Sequence, residues 1–259
     1  MLILIIKYEI LNKGSLFRTL ESIIMNLIEK FGKEKLLLLG LLVAIGVFSR
    51  IVLHDFFNSI ANPWAEYGFL DVFFVTAAVA IFSGILLGKY FTIIVPLAVI
   101  AITDFFYALV DPANVAHWTS WLFLFTGSGY VFMALIGSYT KNKSKLNFAF
   151  IPKLLGAGIL GVVIYDLWTN FGFWLSYSKM GWYPQTLEGL ATVYSGGVPF
   201  MIWHIISTAI CLTVVAVPVI YFKEHELIKR EIVLKPVEKY IIASSTIVLI
   251  ALSIVSAII

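Results

Sequence analysis

The chain has 259 residues, 61% of them apolar and only 13% charged, with a formal net charge of +3 and a mean hydropathy of +0.97. A water-soluble domain carries about 45–50% apolar and about 25% charged residues, so this composition excludes an ordinary soluble fold. The lone cysteine, Cys211, excludes an intrachain disulfide and a cysteine-based metal cluster, and the basic residues form no aromatic-interleaved patch suited to nucleic acid.

In chain order, residues 1–35 read as a cytoplasmic N-terminal segment. Its opening MLILII is too short to span a bilayer and lacks the basic leader of a signal peptide. Leu16, Leu20, Ile23, Leu27 and Phe31 recur at helical spacing with Arg18, Asn26, Glu29 and Lys30 among the polar positions, which predicts an amphipathic helix lying on the membrane interface. A translational start at Met25 is the alternative. Residues 36–222 hold six apolar blocks, at 36–53, 69–88, 90–110, 118–140, 148–169 and 198–222. Each reaches or approaches the roughly 20 residues that carry a helix across a bilayer. Residues 223–239 form a charged cytoplasmic linker, and residues 240–259 an additional C-terminal transmembrane helix. The expected fold class is an all-α membrane protein: a six-helix transmembrane bundle with an extra C-terminal span and an N-terminal interfacial helix.

Lys and Arg fall on alternate connections. Lys7, Lys13, Arg18, Lys30, Lys33 and Lys35 precede the first block, Lys89 follows the second, Lys141, Lys143 and Lys145 follow the fourth, and Lys223, Lys229, Arg230, Lys235 and Lys239 follow the sixth. The positive-inside rule then puts the N-terminus in the cytoplasm and turns residues 54–68, 111–117 and 170–197 outward. With seven spans in the cell membrane, the C-terminus is expected outside.

The costly polar groups gather in the outer halves of these spans. Arg50 lies a turn from the outer end of the first span, with His54 at i+4, and Asp71 opens the second. Asp104 lies in the third with Tyr107 a turn beyond, and Asp166 in the fifth with Asn170 at i+4. His204 lies in the sixth, followed on one face by Ser207, Thr208 and Cys211. Ionisable groups inside spans face a cavity or a partner. Trp64, Trp118, Trp121, Trp168, Trp174, Trp182 and Trp203 all fall on the same side, whereas an interfacial belt would populate both. Together they predict a cup, lined by tryptophans and outer-half charges, that holds a small, partly aromatic or polar solute. Each group also has a plainer reading: Arg50 pairing with Asp55, Asp71 solvated at the interface, His204 a hydrogen-bonded core histidine, each Trp an anchor. Small residues at four-residue spacing, Ala80, Gly84 and Gly88, Gly40 and Ala44, and Ala157 and Gly161, predict close helix packing.

The run YPQTLEGLATVYSGGVPF, residues 183–200, interrupts this apolar pattern. Leu187, Leu190, Ala191 and Tyr194 recur at i, i+3, i+4 and i+7, with Gln185, Glu188, Thr192 and Ser195 opposite. This predicts a three-turn amphipathic helix with Pro184 in its first turn, ended at Gly196 or Gly197 before Pro199 opens the next span. Such a helix would roof the mouth of the bundle. No phosphate-binding loop, HExxH, GxSxG or Cys/His cluster is present, so no cofactor or metal is expected, and active transport would draw its energy from a partner or an ion gradient.

The segment TNFGFWL, residues 169–175, followed by the 183–200 run, resembles a group of functionally uncharacterised integral membrane proteins related to the substrate-binding S components of energy-coupling-factor (ECF) transporters. Arg50, His54, Asn62 with Pro63, and Asp104 match the pattern of that group over about residues 36–222. The resemblance implies a six-helix bundle that binds a vitamin-like micronutrient from outside through Arg50, His54, Asn62, Asp104, Asp166, Asn170, Trp174, Tyr183, Glu188, Tyr194 and His204. It also implies docking, through Gly40 and Ala44, on an ECF-type transmembrane coupling subunit served by ATPases. A scaffold whose outer loops contact another protein, and an intramembrane enzyme using Asp104, Asp166 and His204, are the readings from other classes.

Overall fold

The structure, a computed structural model, describes residues 22, 25, 32–53, 74–88, 90–110, 122–142, 145, 147–224, 244 and 247. Six α-helices stand among them, five of them long. Helix α1 (Lys33–Phe48) runs on into a π-helical turn (Ser49–Leu53), and α2 (Val75–Phe82) into a second (Ser83–Leu87). Then come α3 (Phe91–Val110), α4 (Leu122–Asn142), α5 (Ile151–Ser178, led in by a 3-10 turn at Phe148–Phe150) and α6 (Leu187–Glu224). The chain divides into two units, Met1–Leu41 and Leu42–Ile259. In the first, Ser22 and Met25 are helical and α1 begins; Leu16, Leu20, Ile23, Leu27 and Phe31 of the expected interfacial helix lie outside the described residues. So does the expected span 240–259, apart from helical Ser244 and Ile247.

Five of these helices are long and apolar enough to cross a bilayer. Their exposed faces are as apolar as their buried ones: Ile102, Phe105 and Leu109 on α3, Ile159, Leu160 and Leu167 on α5, and Ile202, Ile206, Ile210 and Val214 on α6 are all exposed. In water such continuous stripes would be large unpaired apolar patches; in a bilayer they meet lipid. The protein is an all-α membrane bundle.

At its centre is α2. From Thr76 through Ile85 every residue is buried, and Ala77, Ala80, Ile81 and Leu87 have no exposed surface. Here the small residues do what their spacing predicts. A Cβ on Gly84 would run into the backbone of Ala134 and Ser138 on α4, and one on Gly137 into the Ile81 carbonyl of α2. The two backbones thus cross at glycine contact from both sides, the device that gives helices close van der Waals packing where no hydrophobic force drives them together. Ala157 and Gly161 likewise face inward, Gly161 against Met133. Gly40 and Ala44 do not: both are exposed.

Both π turns begin at a serine. The Ser49 hydroxyl donates to the Gly46 carbonyl at 2.8 Å and the Ser83 hydroxyl to the Ala80 carbonyl at 2.7 Å. Such side-chain back-bonding competes with the helical ladder and accompanies the change of winding. The first π turn carries Arg50, and a π turn inside an α-helix commonly marks a functional position.

The connection and helix expected over residues 183–200 need correction. Helix α5 continues past residue 169 to Ser178, and α6 is one helix of 38 residues through Gly196, Gly197 and Pro199. At about 1.5 Å per residue it is about 57 Å long, well beyond a bilayer core of about 30 Å. Gly-Gly-Val-Pro reads as a break in water, but buried in a bilayer the backbone has no other partner for its polar groups, so the helix continues. Pro184 is not in the first turn: Thr186 is the capping residue, its hydroxyl 3.3 Å from the Gly189 N–H. The buried face is also different. Gly189, Val193 and Gly197 are buried at i, i+4 and i+8, whereas Leu187 and Ala191 are exposed.

Candidate functional site

The chain reverses between α5 and α6 through a left-handed Gly181 (φ 79°). The Trp182 N–H reaches back to the Tyr177 carbonyl at 3.2 Å, a glycine-closed helix end. The Trp174 indole N–H donates to the Pro184 carbonyl at 3.0 Å, and a side chain at Gly189 would collide with that same carbonyl. The connection is therefore held flat against the first turn of α6. Below it, α5 and α6, with the start of α4 at Leu122 and Thr126, frame a pocket of about 560 Å³ whose wall includes Tyr165, Asp166, Asn170, Tyr183, Phe200 and His204, with Phe173, Thr169 and Thr192 also on it.

Asp166 and His204 form its polar focus. His204 Nδ1 lies 2.9 Å from Asp166 Oδ1 and 3.1 Å from Oδ2, and His204 and Asp166 are only 6% and 4% exposed. An ionised carboxylate only accepts, so Nδ1 carries the hydrogen and donates it. The imidazole is stacked on Phe74 of the α2 start, ring centroids 4.1 Å apart, and the Phe74 N–H donates to Ser207 Oγ at 3.1 Å. Phe74 also touches Tyr165 and Tyr130, at 5.2 and 5.7 Å. The two tyrosines pack at 4.7 Å, room that exists because Gly129 has no side chain: a Cβ there would lie 2.7 Å from the Tyr165 ring.

The second ionic cluster lies on the other side of Tyr130. Arg50 Nη2 is 3.5 Å from Asp104 Oδ1, Arg50 Nε donates to Thr103 Oγ1 at 3.0 Å, and the Tyr107 hydroxyl donates to the Arg50 carbonyl at 2.9 Å. The packed rings of Tyr130 and Tyr165 belong to the same buried interior.

Of the residues expected to bind solute, the structure brings Asp166, Asn170, Tyr183 and His204 to the pocket wall. Arg50 and Asp104 pair with each other away from it. Glu188 is exposed in the first turn of α6, and the Tyr194 hydroxyl donates to the Leu167 carbonyl at 3.1 Å. Trp174 anchors the connection. His54 and Asn62 lie outside the described residues, as do Asp71, Trp64, Trp118 and Trp121. Of the tryptophans expected around a cup, the described ones, Trp168, Trp174, Trp182 and Trp203, do not line this pocket. Trp168 is drawn inward to Ser128, its Nε1–H donating to the hydroxyl at 2.7 Å, and Trp182 is exposed. Sequence reasoning missed Phe74, Tyr130, Tyr165 and Phe200. Tyr130 and Tyr165 carried a usable signal, because both lie far from the ends of their helices, where a belt tyrosine would not.

Gly197 sets how closely α6 approaches Asn170. A Cβ there would lie 2.5 Å from Asn170 Nδ2, whereas one on Gly196 meets nothing within 4 Å. Gly197→Ala is expected to displace the Asn170 amide and alter any ligand affinity at least about threefold, while Gly196→Ala, also a pocket residue, changes it less. Both variants should unfold within about 1 kcal/mol of the parent, since Ala replaces Gly in a helix. Titration of the two purified variants with the same ligand checks this.

A family model matches residues 30–230, the whole of α1 to α6. The chain belongs to DUF6580, a family of unknown function. No curated protein and no solved structure matches it. In this DUF6580 chain the matched span holds both ionic clusters and every residue of the pocket.

Proposed function

We propose that this protein is a solute-binding subunit of the cell membrane. It takes a small solute from the outer side into the α5–α6 pocket, for uptake powered by a separate energy-coupling subunit. The observation that carries this reading is the pocket itself: about 560 Å³, within the roughly 300–1,000 Å³ of small-molecule sites, with a buried Asp–His pair on its wall. Intramembrane ionisable groups are expensive and face sites or partners. Thr169, Asn170 and Thr192 supply neutral hydrogen-bonding groups, and Tyr165, Phe173, Tyr183 and Phe200 the flat apolar walls that a partly aromatic solute would need.

The positive-inside pattern supports an outer position for the connection at residues 179–186 and a cytoplasmic N-terminus, with the pocket then open to the exterior. A vitamin-like micronutrient and an ECF-type coupling subunit fit the resemblance of residues 169–175 and 183–200 to S components. The exposed Gly40 and Ala44, with open space where a Gly40 Cβ would stand, leave a small-residue surface for that subunit's helix. Mass spectrometry of small molecules carried through detergent purification tests the reading. A stoichiometric retained compound, lost on Asp166→Asn, is the expected result. Protein that retains nothing and takes up no compound from a vitamin panel would remove it.

A further inference from the structure

We propose that the ligand of the α5–α6 pocket is a small organic cation with a compact apolar or aromatic body. This rests on the solute-binding reading and names its chemical class.

Among the described residues, the titratable groups on the pocket wall are Asp166, His204, Tyr165 and Tyr183, with no Lys or Arg. The Asp166 carboxylate accepts from His204 Nδ1 alone among the described residues, although a carboxylate has about four acceptor sites. The carboxylate thus keeps oxygen lone pairs that no described donor fills, in a medium that solvates them poorly. Arg50 does not complement them: its guanidinium is matched by Asp104 at 3.5 Å. A cationic ligand would.

The walls point the same way. Tyr165, Phe173, Tyr183 and Phe200 line one cavity with the carboxylate. Aromatic faces attract desolvated cations through the ring quadrupole, more strongly out of water. A bound anion would meet the same electron-rich faces and the carboxylate, with no Lys or Arg among the described wall residues to hold it.

The test is isothermal titration of the detergent-purified full chain at pH 8 with three probes of one size. These are phenyltrimethylammonium, its neutral isostere tert-butylbenzene, and the anion benzenesulfonate. The cation is expected to bind at least about tenfold more tightly than the isostere, with no saturable binding of the sulfonate. Asp166→Asn should weaken the cation at least about tenfold. Because that buried substitution can impair folding, Tyr183→Leu and Phe200→Leu at the pocket wall serve as the second arm, each expected to weaken the cation about threefold or more. Equal binding of the isostere, tighter binding of the sulfonate, or no cation binding overturns the proposal. Compounds retained through purification separate its failure from that of the solute-binding reading. A neutral or anionic compound retained in the pocket leaves that reading standing and removes the cation; no retained compound and no probe binding remove both.

Discussion

A Gly84→Leu protein is expected not to yield a stable bundle. The Cβ of any residue at position 84 would collide with the Ala134 carbonyl and the Ser138 amide of α4, and both are backbone atoms of a helix that cannot turn aside as a side chain can. Relief requires α2 and α4 to separate. That in turn opens the reciprocal contact of Gly137 with the Ile81 carbonyl, and loosens Ala80 and Ile81 in the most buried helix of the molecule. Overpacking a core with side-chain relief costs about 1–3 kcal/mol; without that relief the loss should exceed about 3 kcal/mol. Size-exclusion profile and thermal unfolding in detergent report it. A monodisperse Gly84→Leu protein melting within a few degrees of the parent would mean that the α2–α4 crossing is not as close as described. Gly156→Leu is the control, since a Cβ there meets nothing within 4 Å.

The second large effect is expected at the Asp166–His204 pair, and its form is diagnostic. His204→Ala removes the donor and leaves a buried carboxylate unpaired, which costs about 3–5 kcal/mol. Asp166→Leu removes the acceptor and leaves a buried imidazole N–H unsatisfied, a loss of about 1–3 kcal/mol. The double variant Asp166→Leu/His204→Phe removes both polar groups and keeps the stack on Phe74, so it should be more stable than His204→Ala alone. Coupling of at least about 2 kcal/mol in a double-mutant cycle is the expected signature of direct contact. Simple additivity in reversible micelle unfolding would rule it out. If the pocket is a binding site, the double variant should fold well and bind nothing, a dissociation of stability from function that a purely structural histidine would not show.

Much of the bundle was legible from residue type and order. Blocks of apolar residues located α1, α3 and α4 to within a few residues, because a bilayer demands a minimum length of continuous apolar helix, whereas α6 starts eleven residues before its expected block. The ionisable residues inside the apolar blocks, Arg50, Asp104, Asp166 and His204, stood out for the same reason, since charge in a span needs a partner. Gly84 and Ala80 could be read as a contact ridge because small residues at four-residue spacing have few other uses in lipid. Less was legible around residues 183–200. Glycine and proline there carry the weights they have in water, where they end helices; embedded in the bundle they permit the Asn170 approach and the helix runs through.

What residue order determined by itself, then, was the class of protein, the places of α1, α3 and α4 and the identity of the groups too costly to be idle. Tertiary structure alone decided that Asp166 pairs with His204 and Arg50 with Asp104, partners 38 and 54 residues apart. It also decided that Tyr165, Tyr183 and Phe200, and none of the described tryptophans, wall the pocket, and that α6 buries Gly189, Val193 and Gly197 and leaves Leu187 exposed. The physical reason is the solvent. In water, the apolar face of a helix is the buried face, and periodicity reveals it. In a bilayer the lipid-facing side is as apolar as the core, so hydropathy says where a helix lies but not which way it faces, and only the packing of its neighbours does.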